Sequence, residues 1–255
     1  MTLQQLMSPA RRAIDDYKMI EDGDKIAVGL SGGKDSVTLL CILAGMRRFY
    51  PNRFSLVAIN IDMGLKDVDQ NEVEQMKEFC KKLDVEYISE KTDIAQIIFE
   101  ERKEKNPCSL CAKMRRGALI NSAIEHGCNK LALGHHADDL IETLFLSMLY
   151  EGRLSTFSPI TYMSRTKMTV IRPMIYIPEK DIVGFAKNNP VIHNPCPANK
   201  HTQREYVKQL LNNIKKDVPI AKERIHGAIT HPERNNLFDS CIQKLNSSKN
   251  DENKQ

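Results

Sequence analysis

The segment after the first apolar run of the chain has a composition suited to holding phosphate. Residues 31–36 read Ser-Gly-Gly-Lys-Asp-Ser and separate a short apolar run, 25–30, from a longer apolar stretch over 37–48. Two adjacent glycines let a backbone approach an anion without an intervening Cβ, and the N–H groups that open the next helix then point at it. The hydroxyls can add donors, the lysine can add charge, and the aspartate can hold a Mg²⁺ that bridges phosphates. The predicted phosphate-loop residues are Ser31, Gly32, Gly33, Lys34, Asp35 and Ser36.

The spacing of this loop excludes two common nucleotide motifs. It lacks the G-x-x-x-x-G-K-[ST] pattern of a Walker A loop, and it lacks the G-x-G-x-x-G pattern of dinucleotide-binding folds. A different class of nucleotide loop is therefore indicated. The alternative is a tight glycine turn in which Asp35 or Ser31 only caps the following helix.

A second polar motif, GHHADDLIET over residues 134–143, also follows a buried apolar run. In a parallel sheet it lies at the same edge as the phosphate loop, so Gly134 and His135 are predicted to line the nucleotide site. Asp138 or Asp139 can bind Mg²⁺ or transfer a proton, and His135 can contact phosphate or act as an acid. The alternative is structural, because Asp139 and Glu142 have the spacing of a capping box and acidic residues suit a first helical turn.

The cysteines form a possible metal or cluster set. Cys108 and Cys111 have C-x-x-C spacing directly before a basic helix, and Cys196 is held between two prolines. Three thiolates fit zinc, with His193 as a fourth ligand, or an iron–sulfur cluster with one open iron; a redox C-x-x-C is a third reading. The remaining cysteines are predicted to be buried small hydrophobes or incidental: Cys41, Cys80, Cys128 and Cys241.

The periodicity between these motifs predicts an α/β fold: a five-stranded parallel sheet with helices on both faces and a C-terminal helical extension. The predicted strands are 25–30, 54–61, 85–89, 130–134 and 168–172, and the predicted helices are 37–48, 71–83, 94–102, 113–125, 139–150 and 179–187. The predicted units are an N-terminal helical segment (1–24), a phosphate-loop domain with the cysteine site (25–200), the helical extension (201–245) and a flexible tail (246–255).

Bulk composition mainly excludes classes. The chain has 255 residues, of which 41% are hydrophobic and 27% charged, so disorder and fibrous structure are excluded. It shows no signal peptide and no apolar run near the roughly 18 residues that span a membrane, so a cytoplasmic location is predicted. A reducing compartment disfavours disulfides among the seven cysteines. The net charge of +4 does not identify a nucleic-acid binder, although basic clusters occur at 11–12, 47–48, 113–116 and 215–224.

The S-G-G-x-D-S fingerprint resembles that of the PP-loop (N-type ATP pyrophosphatase) superfamily. The resemblance implies an adenine nucleotide alpha hydrolase-like (HUP-type) fold and an enzyme that cleaves ATP between its α- and β-phosphates, with Mg²⁺. It also implies that the loop grips pyrophosphate and that Asp62, at the end of the second strand, contacts ATP or metal. The alternative for Asp62 is an ordinary turn at the end of the strand. The catalytic candidates that follow are Asp139, Asp138, Lys34 and Asp35, with Asp139 favoured over Asp138.

The combination of the C-x-x-C pair, Arg115-Arg116, the GHHADD block and a distant Cys-Pro resembles the tRNA 2-thiocytidine synthetase family. This resemblance implies a 4Fe–4S cluster on Cys108, Cys111 and Cys196. It implies that the C2 oxygen of a tRNA cytidine, at anticodon-loop position 32, is adenylated and then replaced by sulfur from a cysteine desulfurase persulfide or sulfide. A homodimer is also implied. The zinc-ribbon cysteine pairs of the related 2-thiouridine branch are absent from the sequence.

Three other functions remain open. A lysidine-type synthetase adenylates cytidine with the same loop but needs no cysteine set. Thiolation of another tRNA base or of a small molecule keeps the same chemistry. The third alternative is not an enzyme: it is a regulator of the same fold that binds ATP without catalysis and whose cysteines hold structural zinc.

Overall fold

A computed structural model describes residues 1–65, 69–102, 107–191, 203–234 and 237. In these ranges the helices are α1 (Leu3–Asp16), α2 (Lys34–Met46), α3 (Gln70–Lys82), α4 (Pro107–Glu125), α5 (Ala137–Leu146), α6 (Glu179–Ala186), α7 (Gln203–Asp217) and α8 (Ala221–Thr230). The strands are β1 (Asp24–Gly29), β2 (Phe54–Asp62), β3 (Glu86–Lys91), β4 (Lys130–Ala132), β5 (Ile160–Met163) and β6 (Met168–Ile171). Short π-helical turns cover Gln96–Glu101 and Ser147–Glu151, and a 3-10 turn covers Pro232–Arg234.

The strands form one sheet in the order β3-β2-β1-β4-β6-β5. Neighbours are parallel except β5, which runs antiparallel to β6. The predicted α/β class and the parallel pairing of the five expected strands are confirmed. The predicted strand count was wrong, because the sheet carries a sixth strand. β5 is a four-residue edge strand with an exposed centre, so no apolar run or strict alternation marks it in the sequence.

Side-chain alternation along the inner strands builds two apolar layers. On β1, Ile26 and Val28 point into a large core with α1, α2 and α3, while Ala27 points into a second core with α4. The interior of α2 is apolar on nearly all sides because it packs against the sheet, α1 and α6. Successive side chains of the inner strands point to opposite faces of the sheet and are apolar on both, so helices cover both faces, as predicted.

The strand order places a crevice at the carboxyl ends of β1 and β4. Successive strands run outward from β1 through β2 to β3, and the chain then returns to the other side of β1 with β4. Ligands in open α/β folds bind at such a switch point. The loop from β1 to α2 and the loop from β4 to α5 both open there, so this crevice brings together the two polar motifs of the sequence.

The C-terminal helices pack against α5 rather than standing apart from the domain. Val207 and Leu211 on α7 form a small core with Ile141 on α5, and α8 also contacts α5. This packing holds the basic residues of α7 and α8 over the crevice. The end of the predicted extension and the predicted tail at 246–255 lie outside the described residues.

Candidate active site

The phosphate loop is an open turn that delivers the chain into α2. Gly32 has a φ of 79°, a left-handed conformation, and Gly33 is the extended residue before α2. Glycine is the residue that adopts positive φ without a steric cost. The Ser36 Oγ donates to the Gly33 carbonyl at 2.9 Å and lies 3.1 Å from the Ser31 Oγ. Gly33, the N-cap residue of α2, has no side chain with which to cap the first turn, so an anion in the crevice can accept from the N–H groups of that turn.

The second polar motif packs directly on this loop. A Cβ added to Gly134 would lie 3.0 Å from the Asp35 carbonyl carbon and 3.2 Å from the Ser36 backbone nitrogen. Only a glycine allows the end of β4 to come this close to the start of α2. The structure thus brings together the loop and the second motif, as their strand-end positions predict.

Lys34 lies at the centre of an ion-pair group at the mouth of the loop. Its Nζ lies 2.9 Å from an Asp35 carboxylate oxygen and 3.1 Å from an oxygen of Glu179, at the start of α6. Burial acts to lower the pKa of Lys34, but the hydrogen bonds and charges of the two carboxylates outweigh it and the pKa is raised. Lys34 is therefore a fixed positive charge beside the loop.

The two aspartates of the second motif have different partners. Asp138 is buried; one carboxylate oxygen accepts from the Glu179 backbone N–H and the other from Lys222 Nζ, both at 2.7 Å. Burial acts to raise the pKa of Asp138, but these donors outweigh it and the pKa is lowered. Asp138 therefore ties α5 to α6 and α8. Asp139 is the more accessible carboxylate, with one oxygen accepting from its helix-capping partner, the His136 backbone N–H.

His136 links the carboxylates of the two motifs. Its side chain is 3% exposed, and its Nε2 lies 3.7 Å from an Asp35 oxygen and 3.5 Å from an Asp139 oxygen. Its Nδ1 is buried with no hydrogen-bond partner in the described part of the chain. The sequence did not single out this residue, because the neighbouring histidine, His135, was the one matched to the motif.

α7 adds cations that were also missed. Arg204 lies 2.7 Å from the buried Glu142 carboxylate and 3.2 Å from Asp139, and Lys208 reaches Glu142 at 3.7 Å and Glu179 at 3.5 Å. Burial raises the pKa of Glu142 in spite of these cations. No motif marks the α7 residues, since they reach the crevice only through the packing of α7 on α5.

His135 packs against an aromatic ring beside the ion-pair group. Its ring lies 4.9 Å from the Phe157 ring, and burial, with Arg172 and Arg204 nearby, lowers its pKa to about 4. The imidazole is therefore neutral near pH 7 and offers no positive charge to phosphate.

Asp62 ends β2 beside the crevice and has a local structural role. A carboxylate oxygen accepts from the Gly64 N–H at 3.0 Å, and its carbonyl accepts from the Thr92 N–H at 2.9 Å. Two residues earlier on β2, the Asn60 side-chain amide donates to the Leu30 carbonyl at 2.8 Å and so fixes the chain just before the phosphate loop. The turn alternative for Asp62 is thus present in the structure, at a position adjoining the predicted nucleotide site.

The C-x-x-C pair lies on a helix, not before one as the sequence predicted. α4 begins at Pro107, a residue favoured at the first helical position, so Cys108 and Cys111 share one face of its first turn. Cys108 is exposed, and the Cys111 sulfur lies 3.6 Å from the sulfur of Met63, which follows β2. The pair therefore lies at the same sheet edge as the phosphate loop.

The described residues supply two thiols of the predicted set of three. Cys196 and the alternative ligand His193 lie outside the described residues, as does Cys241. Accordingly, no group of three or more His, Cys, Asp or Glu side chains within the described ranges is arranged to hold a metal ion. Cys41 and Cys80 are buried, and burial raises the pKa of their thiols to about 12 and about 11. These two, with the buried Cys128, are the apolar packing residues that were expected.

Comparison with known proteins identifies relatives over most of the chain. A family model described as a PP-loop domain matches residues 3–217. The tRNA-cytidine(32) 2-sulfurtransferase of Citrifermentans bemidjiense is 41% identical over 238 residues, covering 91% of this chain and 92% of the relative. The protein of the same name from Geotalea daltonii is 43% identical over 237 residues, covering 91% of this chain and 93% of the relative.

A solved structure is also similar. The U34-tRNA thiolase NcsA from Methanococcus maripaludis, with its 4Fe-4S cluster, superposes with a TM-score of 0.73 at 26% identity and covers 91% of this chain and 79% of that one. The resemblance read from the motifs is confirmed by these matches. None of the helices in the described ranges has the length and apolar character needed to cross a membrane.

Proposed function

Because the chain belongs to the PP-loop domain family, we propose that it is an ATP-dependent sulfurtransferase that converts a tRNA cytidine, at position 32, to 2-thiocytidine. The observation that carries the proposal is the shared sheet edge: the phosphate loop, the Asp139 motif and the Cys108–Cys111 turn all open onto it. A lysidine-type synthetase has no use for such a cysteine pair, and a non-catalytic regulator would not release pyrophosphate in response to tRNA.

ATP is proposed to bind with its phosphates over the loop. The N–H groups that open α2, the hydroxyl of Ser31 and the charge of Lys34 hold the β- and γ-phosphates, and Ser36 supports the loop through its bond to the Gly33 carbonyl. Gly134 keeps the adjoining strand end close. Asp62 and His135 border this site. The carboxylates of Asp35 and Asp139 suit Mg²⁺, which binds through one or two protein carboxylates together with substrate phosphates.

The first chemical step is the adenylation of the base. The C2 oxygen of the cytidine attacks the α-phosphate, and pyrophosphate leaves. The fixed positive charge of Lys34 and the loop N–H groups stabilise the charge that develops on the phosphoryl oxygens, which is the main contribution of the protein. Asp139 is the more exposed of the two carboxylates, at 21% against 9%, so it is the one assigned to the reacting groups, although the His136 N–H and Arg204 also contact it. Asp138 is held by Glu179 and Lys222.

The second step replaces the oxygen. Sulfur attacks C2, and AMP leaves with the former base oxygen. Cys108 and Cys111 fit two of three ligands of an iron–sulfur cluster, because thiols at i and i+3 of one helical turn converge on the same side, and Cys196 is the proposed third. Such a cluster, held by these thiolates, would supply an iron to which sulfide could bind. The sulfur is proposed to arrive as sulfide, or as a cysteine desulfurase persulfide whose S–S bond a thiol reduces to release sulfide. The active form is proposed to be a cytoplasmic homodimer.

Release of pyrophosphate from ATP tests the proposal directly. Anaerobically purified protein should release pyrophosphate only when tRNA containing the unmodified cytidine is present. The same preparation should be brown and contain iron and sulfide, and Cys108→Ala should lose both. Pyrophosphate release that is independent of tRNA, or stoichiometric zinc in place of iron, would refute the proposal.

A further inference from the structure

A cluster of flat side chains lies beside the phosphate loop and takes no part in the ion-pair group. Phe157, on the connection from α5 to β5, has the His135 ring at 4.9 Å with a 42° angle between the ring planes. The guanidinium carbon of Arg172 lies 5.2 Å from the centre of the same Phe157 ring. Aromatic rings and guanidinium planes are the groups on which proteins stack unpaired nucleobases.

The cluster contains polar atoms that the described protein does not satisfy. The Nδ1 of His135 and the Nε of Arg172 are buried without a hydrogen-bond partner among the described residues. A buried polar group that lacks a partner costs roughly 1–3 kcal/mol. A polar ligand that entered between these side chains would supply the missing partners.

The position of the cluster is the one that the chemistry requires. His135 directly follows Gly134, which packs against the phosphate loop, and Arg172 directly follows β6, which pairs with β4. Burial, and after it the charge of Arg116, lowers the pKa of Arg172 to about 10. The cluster therefore adjoins the phosphate loop, which is where a base must lie to be adenylated.

We propose that Phe157, His135 and Arg172 form the subsite that receives the pyrimidine ring of the target cytidine. This inference rests on the proposed function. Phe157 provides the stacking face. Arg172 donates through its Nη1 to the Ser158 carbonyl at 2.7 Å, and the entering base takes the place of its guanidinium on the Phe157 ring, so that the guanidinium meets the edge of the base. A guanidinium carries only donors and suits the N3 acceptor of cytosine better than the N3–H of uracil.

Binding of a fluorescent RNA tests the stacking part of the proposal. The probe is an anticodon stem-loop with pyrrolocytosine at the target position, added to the full-length, anaerobically purified protein. Wild-type protein should quench the probe on binding, and Phe157→Leu should bind about tenfold more weakly with little quenching, since base stacking on an aromatic ring is worth roughly 1–3 kcal/mol. Phe157→Tyr keeps the ring and should restore the quenching. Phe49→Leu is the control, because Phe49 is exposed and lies near the opposite end of α2.

Discrimination between bases tests the part played by Arg172. In Arg172→Gln the side-chain amide can donate to the N3 of cytosine and can also accept from the N3–H of uracil. The ratio of the rates with a cytidine and a uridine target should therefore fall by about tenfold. The rate of tRNA-dependent pyrophosphate release on the two substrates measures this ratio, and circular dichroism shows whether each variant is folded.

Two outcomes separate the subsite from the overall function. If the wild-type protein releases no pyrophosphate with tRNA, the proposed function fails, whatever the quenching shows. If the wild-type protein is active and Phe157→Leu matches it in affinity, quenching and rate, the subsite is overturned and the cluster only packs the α5–β5 connection.

Discussion

The substitution Gly134→Ala tests how closely the GHHADD motif must approach the phosphate loop. Nothing in its own backbone requires glycine, because its φ is not positive. The added Cβ would meet backbone atoms of Asp35 at 3.0 and 3.1 Å, below the 3.4 Å at which ordinary contacts begin. Backbone at the start of a helix cannot rotate away as a flexible side chain can, so the phosphate loop itself must shift.

The size of that shift sets the expected effect. The start of α2 must move by about 0.4 Å. A displacement of about 1 Å between reacting groups costs about a hundredfold in rate, so a movement of this size costs about five- to tenfold in kcat/KM for ATP. Overpacking at such a contact also destabilises the fold by roughly 1–2 kcal/mol, or about 2–8 °C in Tm for a chain of this size.

Steady-state pyrophosphate release at saturating tRNA measures the loss, and Tm follows from circular dichroism in the far ultraviolet. The matched control is Gly227→Ala on α8, where no atom lies within 4 Å of the added Cβ. Because there is space around Gly227, its replacement by alanine should stabilise α8 by roughly 0.5–1 kcal/mol and leave the rate of pyrophosphate release unchanged. Iron content should be unchanged in both variants. A Gly134→Ala protein with wild-type kcat/KM would refute the close contact between the motifs.

Three further predictions concern the residues around this contact. Asp139→Asn should lower pyrophosphate release about a hundredfold with little change in Tm. Asp138→Asn should mainly destabilise the fold, by roughly 1–3 kcal/mol, because its buried carboxylate accepts bonds from α6 and α8; the reverse pattern of rates and Tm values would exchange their roles. Cys108→Ala should abolish iron binding and Cys80→Ala should retain it, as elemental analysis of anaerobic preparations will show; equal iron in both variants would remove Cys108 from the ligand set. Burial lowers the pKa of His135 to about 4 in the folded protein, whereas in the unfolded chain this pKa is about 6.5. Between these values the unfolded chain binds a proton that the folded protein does not, so the folded protein loses stability as pH falls from about 6.5 towards 4. On going from pH 7 to pH 5, the free energy of unfolding should therefore fall by about 1–2 kcal/mol less in His135→Asn than in the wild type. If the Tm of the two proteins falls equally with pH, this prediction is wrong.

The sequence predicted those features that depend on neighbouring residues. The glycine pair, the buried strands on either side and the strand-end polar motif are local patterns, and each lies where a parallel sheet requires. The sequence predicts the C-x-x-C pair before the helix because apolar periodicity begins only later in α4. The proline at the helix start was the available signal, since Pro107 can open a helix without a lost hydrogen bond.

The features that the sequence did not predict depend on packing between distant segments. Arg204 and Lys208 contact the site only because α7 packs on α5 through Val207 and Leu211, and helical periodicity alone does not identify the partner helix. Glu179 opens α6 with no motif around it and meets Lys34 across the crevice. β5 is paired on one side only and has exposed central residues, so its pattern resembles a loop.

The nucleoside content of cellular tRNA tests the central claim most directly. A strain that lacks this gene is complemented with the wild-type chain or with Cys108→Ala, and its tRNA is digested and analysed by mass spectrometry. We expect 2-thiocytidine with the wild-type chain and none with the variant or the empty vector. If 2-thiocytidine is unchanged in the deletion strain, or is restored fully by the variant, then the phosphate loop and the cysteine pair do not act together on a tRNA cytidine.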